Sequence, residues 1–241
     1  MTGMRNLFPI LLTLSVFALF SCSQEYTVTG RIDGAVDGDS VIMGYSADGV
    51  DFTVTDRTVV ENGEFHFSGK IKGSKIYYIG YEQSVEPEYM LFFLEGGDIQ
   101  IIMSGEESTA TGTASNDLNA EVEENLSDCI TRMFGAEVML ASDTLMSDSA
   151  KADMYQRMYD AHRDVSQYIR DVIFHNEESI VSLYLLVQYS DLFSLEELEQ
   201  AVDRIPSENV DRKNNCLYDV LVEALNERKN NSGELPLLDF E

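Results

Sequence analysis

Cys22 is the residue whose neighbours most clearly prescribe a reaction. It closes the tetrapeptide Leu19-Phe20-Ser21-Cys22 at the end of an apolar run that begins near Leu7, behind Arg5. A basic start, a hydrophobic stretch too short to span a bilayer and a small residue just before a cysteine are what secretion and lipid-transfer enzymes recognise. Cys22 is therefore expected to become the acylated first residue of the mature protein, with residues 1–21 removed as a lipoprotein signal peptide.

Other reactive residue types are present without the spacing that chemistry needs. Asp33, Asp37 and Asp39 bring three carboxylates close together, but a calcium loop would need an oxygen ligand where Ala35 sits and a glutamate at its end. Asp-Gly pairs between strands make turns, and that reading is preferred here. His66 lies in a strand candidate, while His162 and His175 sit roughly 20 Å apart along one helix and cannot share a metal. No Gly-x-Ser-x-Gly, phosphate-cradling glycine loop or Cys-x-x-Cys occurs, so hydrolase, nucleotide and dithiol chemistries lack their minimal parts. No catalytic residue, cofactor site or metal site is expected.

Two cysteines remain after lipidation. Cys129 and Cys216 could pair in an oxidising compartment. Leu118, Val122, Leu126, Cys129 and Met133 recur at helical spacing, however, which places Cys129 on an apolar face as a small core residue. Tyr77, Tyr78, Tyr81 and Tyr89 lie on neighbouring strand candidates and could form an aromatic binding face. Alternation turns some of them into the core.

The elements that must hold these residues change character near residue 114. Before it the pattern has period two, in Tyr26–Ile32, Ser40–Tyr45, Asp51–Val60, Glu64–Ile71, Lys75–Tyr81, Tyr89–Leu94 and Asp98–Met103, with Asn62-Gly63 as a hairpin turn. Short strands at this spacing predict an antiparallel β-sandwich or partly open barrel. After it the period is helical. Ser115 is placed to cap a helix over Leu118–Phe134, and a loose connection follows from Ala141 to Ser149. Met154, Met158, Ala161, Val165, Tyr168 and Val172 form a narrow stripe suited to one partner helix. Asn176 could cap the next helix, whose residues Ile180–Val187 are apolar nearly all round and should be the buried centre of this half.

Ser194 and Glu197 make a capping box, with Phe193 and Leu198 as its hydrophobic staple, and Pro206 ends that helix. Ser207 opens a last helix with Val210, Asn214, Leu217, Leu221 and Leu225 inward, closed at Asn230-Asn231-Ser232-Gly233. The expected class is α+β. The expected organisation is a signal peptide over 1–21, a tether over 22–25, a β-domain over 26–114, a helical domain over 115–232 and a tail over 233–241.

A formal charge of −27 argues against nucleic acid and against an anionic membrane surface, and loss of residues 1–21 removes only the positive Arg5. The acyl chain on Cys22 would do the anchoring without a basic patch to help it. With 44 % hydrophobic residues there is ample material for a core. A tether of three residues beyond Cys22 would keep the first strand within roughly 10–14 Å of the lipid attachment.

The order of segments resembles bacterial lipoproteins in which an uncharacterised β-domain and a helical segment precede a thioredoxin-like domain of the peroxiredoxin and thiol-reductase type. The resemblance rests on Tyr26–Ile32 with Asp39–Tyr45, on Gly63–Gly69, on Leu91–Ile99, on Thr111-Gly112-Thr113 before Asn116, and on Ser179–Ser182. Gly233, Pro236, Asp239 and Phe240 resemble the entry to the thioredoxin-like domain. The redox work in such proteins is implied to lie in that further domain, so no catalytic residue carries over. The resulting expectation is a non-enzymatic, membrane-anchored binding or scaffolding lipoprotein of the bacterial cell envelope, at the outer membrane facing the periplasm. Its partner would be a protein or a small molecule. The alternative is the accessory part of a thiol–disulfide redox lipoprotein, which a reading frame continuing past Glu241 into Cys-x-x-Cys would favour.

Overall fold

The computed structural model describes residues 23–46, 52–82, 88–142, 146–205 and 217–231. Cys22, Pro206, Ser207, Val210, Asn214, Cys216 and the segment from Ser232 to Glu241 lie outside them, as do residues 1–21.

Among the described residues the period-two half forms eight strands: β1 (Gln24–Ile32), β2 (Ser40–Ser46), β3 (Phe52–Val59), β4 (Phe65–Ile71), β5 (Lys75–Tyr81), β6 (Glu88–Leu94), β7 (Gly97–Met103) and β8 (Thr109–Thr111). They make two four-stranded sheets, ordered β4-β1-β7-β8 and β3-β2-β5-β6. The architecture is a sandwich, one of the two arrangements the alternation predicts. One pair departs from the antiparallel expectation, because β1 and β7 run parallel, with Val28 opposite Ile99. A second correction concerns the tether: Gln24 and Glu25 already pair with Ile71 and Lys70 in β1, so they belong to the sheet.

Alternating burial along β4 and β7 sends one face of the first sheet inward and leaves the other to solvent. Phe65, Phe92, Ile79, Ile99, Val28 and Met43 fill the space between the sheets. Gly30 has a specific task there. It faces Phe65 across the β1–β4 pair, and the fully buried ring lies where a Cβ on residue 30 would stand. β6 is apolar on both faces, which is the pattern of a strand covered twice. Phe92 and Leu94 enter the sandwich, while Leu91 and Phe93 turn outward to the helices.

The second half comprises α1 (Ala114–Ser142), α2 (Asp148–His175), α3 (Ile180–Gln188), α4 (Leu195–Arg204) and α5 (Leu217–Asn231). α3 is the buried centre, with Val181, Leu183, Leu185 and Leu186 inaccessible, and the inward residues Ile169, Leu198, Leu221 and Leu225 converge on it. The capping box holds at α4: Ser194 Oγ accepts from the Glu197 amide at 3.3 Å, and Glu197 Oε2 accepts from the Ser194 amide at 2.8 Å. The staple residues Phe193 and Leu198 are both buried.

Two expected caps have other jobs. Ser115 lies inside α1 and gives its hydroxyl to Glu95 at 2.7 Å. Asn176 ends α2, its side chain donating to the Val172 carbonyl at 2.8 Å, and Ser179 caps α3 by accepting from the Val181 amide. α1 also runs on to Ser142, beyond Phe134, so the connection to α2 is shorter than the run of Ser and Asp suggests. The distal turns of α1 and α2 reach past the helical core as an arm on which Ile130, Phe134, Tyr155 and Tyr159 stay exposed. No helix among the described residues is long and apolar enough to cross a membrane.

Candidate functional site

A cleft opens along β6, which is an edge strand of its sheet. One position of that edge is sealed from within the protein. Asn116, in the first turn of α1 and 1 % exposed, accepts from the Phe93 amide at 2.9 Å and donates to the Phe93 carbonyl at 2.7 Å. Its amide also donates to Thr113 Oγ1 at 2.8 Å. Glu95 fixes the helix start from the β6–β7 turn, accepting from the Ser115 amide at 2.8 Å and from the Ser74 hydroxyl at 2.6 Å. Asp117 accepts from the Gly112 amide at 2.7 Å and holds the chain entering the helix.

In an antiparallel pair the residues alternate between those bonded to the neighbouring strand and those facing away. Phe93 faces away from β5, so Leu91 and Tyr89, two and four residues back, face away as well. Among the described residues no group pairs with their outward amides and carbonyls. Tyr89 and Leu91 both line a cleft of about 400 Å³. Gly105 and Ser108 of the β7–β8 connection, Ala110 of β8, Asn119 and Glu123 of α1, and Tyr184 of α3 also line it.

The cleft is acidic. Glu88 stands at one end, and Glu123 is held by the Asn119 amide, which donates to it at 2.9 Å. Burial first, and the Glu123 charge second, push the phenols of Tyr184 and Tyr189 above the ordinary tyrosine value. Tyr184 packs edge-on against Phe93, with ring centroids 5.8 Å apart. Neither Glu123 nor Asn116 carries a local sequence signal for the contacts it makes.

The four tyrosines separate as alternation demands. Tyr77 and Tyr81 pack on the sandwich core, and burial raises the Tyr77 phenol. Tyr78 and Tyr89 lie on the outer face with Phe52, whose ring centroid is 5.1 Å from that of Tyr89 and 6.2 Å from that of Tyr78. Gly80 lets them sit low, since a Cβ there would come within 2.8 Å of the Tyr89 ring. Tyr89 is 50 % exposed and joins this aromatic patch to the mouth of the cleft.

Each carboxylate of the aspartate cluster is taken by a different partner. Asp33 accepts from the Ser104 hydroxyl at 2.6 Å, Asp37 from the Gly63 amide at 3.0 Å, and Asp39 from the Tyr81 hydroxyl at 2.6 Å and the Val36 amide at 2.9 Å. The Tyr81 bond, followed by the Val36 bond, holds the Asp39 carboxyl below the usual range, and the same Tyr81–Asp39 bond raises the phenol. Among the described residues no group of three histidines, cysteines or acids could hold a metal ion. His66 sits 3.2 Å from Thr29 Oγ1, and the His175 ring lies 2.6 Å from the Asp171 carbonyl oxygen. His162 is 3.5 Å from Ser166 Oγ. Cys129 is a free thiol, half-buried against the helical core, 3.0 Å from an Arg132 guanidinium nitrogen.

Residues 26–119 match the family model of a domain of unknown function, DUF4369. The match spans both sheets and continues into α1 as far as Asn119, so it includes Asn116 and the edge that Asn116 seals. No curated protein matches the chain.

Proposed function

We propose that this chain is a non-enzymatic lipoprotein of the bacterial cell envelope, anchored through acylated Cys22 and engaging a partner at the cleft along β6. The observation that carries the binding role is the partly unsealed edge: Asn116 satisfies Phe93, while Tyr89 and Leu91, whose backbone groups likewise face away from β5, line a 400 Å³ space. A cleft of that size falls in the ligand-site range of about 300–1,000 Å³. The Leu19–Cys22 tetrapeptide behind its apolar run supports the anchor. The position taken for it is the outer membrane facing the periplasm, and Ser23-Gln24-Glu25, which is not the acidic run suited to surface display, supports the periplasmic side.

Fractionation tests the anchor. Cys22→Ala should move the protein from the membrane pellet to the soluble fraction, and a variant that stays in the pellet defeats the reading. Pull-down from native membranes should recover a partner lost on deletion of the Asn119 and Glu123 side chains. Disulfide reduction or peroxide consumption by the purified protein, abolished by Cys129→Ser or Cys216→Ser, would move the assignment to thiol-redox chemistry.

A further inference from the structure

Unprotected sheet edges template the addition of another strand, and proteins ordinarily blunt them with charge, bulges or a covering element. The two edges of the β3-β2-β5-β6 sheet are treated differently. β3 is exposed along most of its length and carries Asp56 and Arg57. β6 carries its one charge, Glu88, at its first residue and continues through Met90 and Leu91 to Phe93, where the Asn116 amide takes the place of a neighbouring strand's peptide group. That substitution shows what the edge accepts: one donor and one acceptor offered together, at ladder distance.

Deepening the binding reading above, on which it rests, we propose that the β6 edge at Tyr89 and Leu91 receives an extended polypeptide segment bearing lysine or arginine, added as a further strand. Two outward-facing residues spaced by about 6.8 Å offer two amides and two carbonyls to such a segment. Main-chain bonds of this kind supply affinity, and side-chain pockets supply selection. Selection here is by charge. Glu88 and Glu123 flank the site, and Asn119 fixes the second of them. A second copy of this chain is a poor occupant, because each carries a formal charge of −27. The chain's own last ten residues hold Glu234, Asp239 and Glu241 and no base. Asn116 also sets the limit of the added strand, which must end before Phe93.

A blocked octapeptide of alternating valine and lysine, the same peptide with glutamate for lysine, and a lysine peptide N-methylated on alternate residues form the probe set, used with the full chain. Fluorescence anisotropy and amide hydrogen exchange are the readouts. The lysine peptide should bind and slow exchange at Tyr89 and Leu91, the glutamate peptide should not bind, and N-methylation on the edge-facing side should weaken binding by at least about tenfold through lost ladder bonds. Glu88→Gln with Glu123→Gln should weaken the lysine peptide by about tenfold and lessen its salt dependence. Tyr89→Pro removes one outward donor from an edge position where proline is tolerated, and should reproduce the N-methyl loss. Equal binding of the glutamate peptide, indifference to N-methylation, or protection confined to another strand overturns the proposal. Concentration-dependent self-association that protects Tyr89 and Leu91 overturns it in favour of a second copy. A membrane partner that crosslinks to the α1–α2 arm while the β6 amides stay unprotected sinks the edge assignment and leaves the anchored binding role standing. Membrane retention of Cys22→Ala would do the reverse.

Discussion

Asn116 and Phe93 are joined through both ends of one side-chain amide, at 2.9 Å and 2.7 Å, so a helical residue completes the ladder of a strand. The same phenylalanine packs its ring among the helices. Sheet and helices are thus tied by backbone pairing and apolar burial at a single position.

Asn116→Ala should be among the most damaging single substitutions where the β-domain meets α1. It leaves a buried amide and a buried carbonyl of Phe93 without partners, at a cost of about 2–4 kcal/mol. Urea denaturation measures the loss, and a decrease below about 0.5 kcal/mol, the range of ordinary surface changes, would contradict the pairing.

Gly30→Ala should destabilise the sandwich by about 1–3 kcal/mol, the usual consequence of overfilling a packed core. The buried Phe65 ring must leave its place over residue 30. Near-ultraviolet circular dichroism and the urea midpoint should change together; an unchanged midpoint would mean that the ring is not seated there.

Glu197 supplies a pH test. Its bond from the Ser194 backbone is the largest influence holding its carboxyl below the ordinary value, with Ser194 Oγ and Arg170 adding to it. A depressed folded-state value means that the stabilisation is present above the unfolded value, about pH 4.3, and disappears as pH falls through the folded one. Wild type should therefore exceed Glu197→Gln in urea midpoint at pH 6–7, and the gap should close in acid. A gap that widens below about pH 4 has the wrong sign for this linkage.

Tyr81→Phe should bring the Asp39 carboxyl back toward the ordinary aspartate value, because the Tyr81 hydroxyl is the first of the groups that depress it. The Val36 amide bond remains, so the return should be partial. Carboxyl-carbon NMR titration reports it directly, and an Asp39 titration identical in the two proteins would remove the bond from the solution structure.

Stability should be graded along the helical half. Residues near Leu183 and Leu186 are inaccessible, whereas Phe134 and Tyr159 are each 66 % exposed on the distal arm. Amide exchange should be faster in the arm than in α3, and Phe134→Ser should change global stability by less than about 0.5 kcal/mol. Uniform protection across the two regions would mean that the arm is covered in solution.

Much of the fold was legible because two periodicities dominate. Lys75–Tyr81 was read to the residue, and the other long strands to within two, since their alternation reflects one buried face. The parallel pairing of β1 with β7 was not legible: alternation fixes which face a residue occupies and says nothing about which strand lies beside it. β8 was missed because Thr109-Ala110-Thr111 is too short to show a period. The caps illustrate a related limit. Ser194 was identified through its reciprocal partner Glu197, whereas Ser115 and Asn176 had residue type alone to recommend them: Glu95 of another element claimed the first, and the last turn of α2 claimed the second. The cleft depends on residues far apart in sequence, Tyr89, Asn116 and Tyr184, and no local spacing relates them.

The position of β1 bears on how the protein withstands force. Val28 lies between Phe67 on one side and Ile99 on the other, and the strand begins at Gln24, close to the lipid attachment expected at Cys22. A pull from the amino end along that strand loads two ladders in shear, so many bonds share the tension instead of parting one at a time as in an unzipped hairpin. A tether under tug from a moving partner would thus be fastened to one of the mechanically stronger seams of the body.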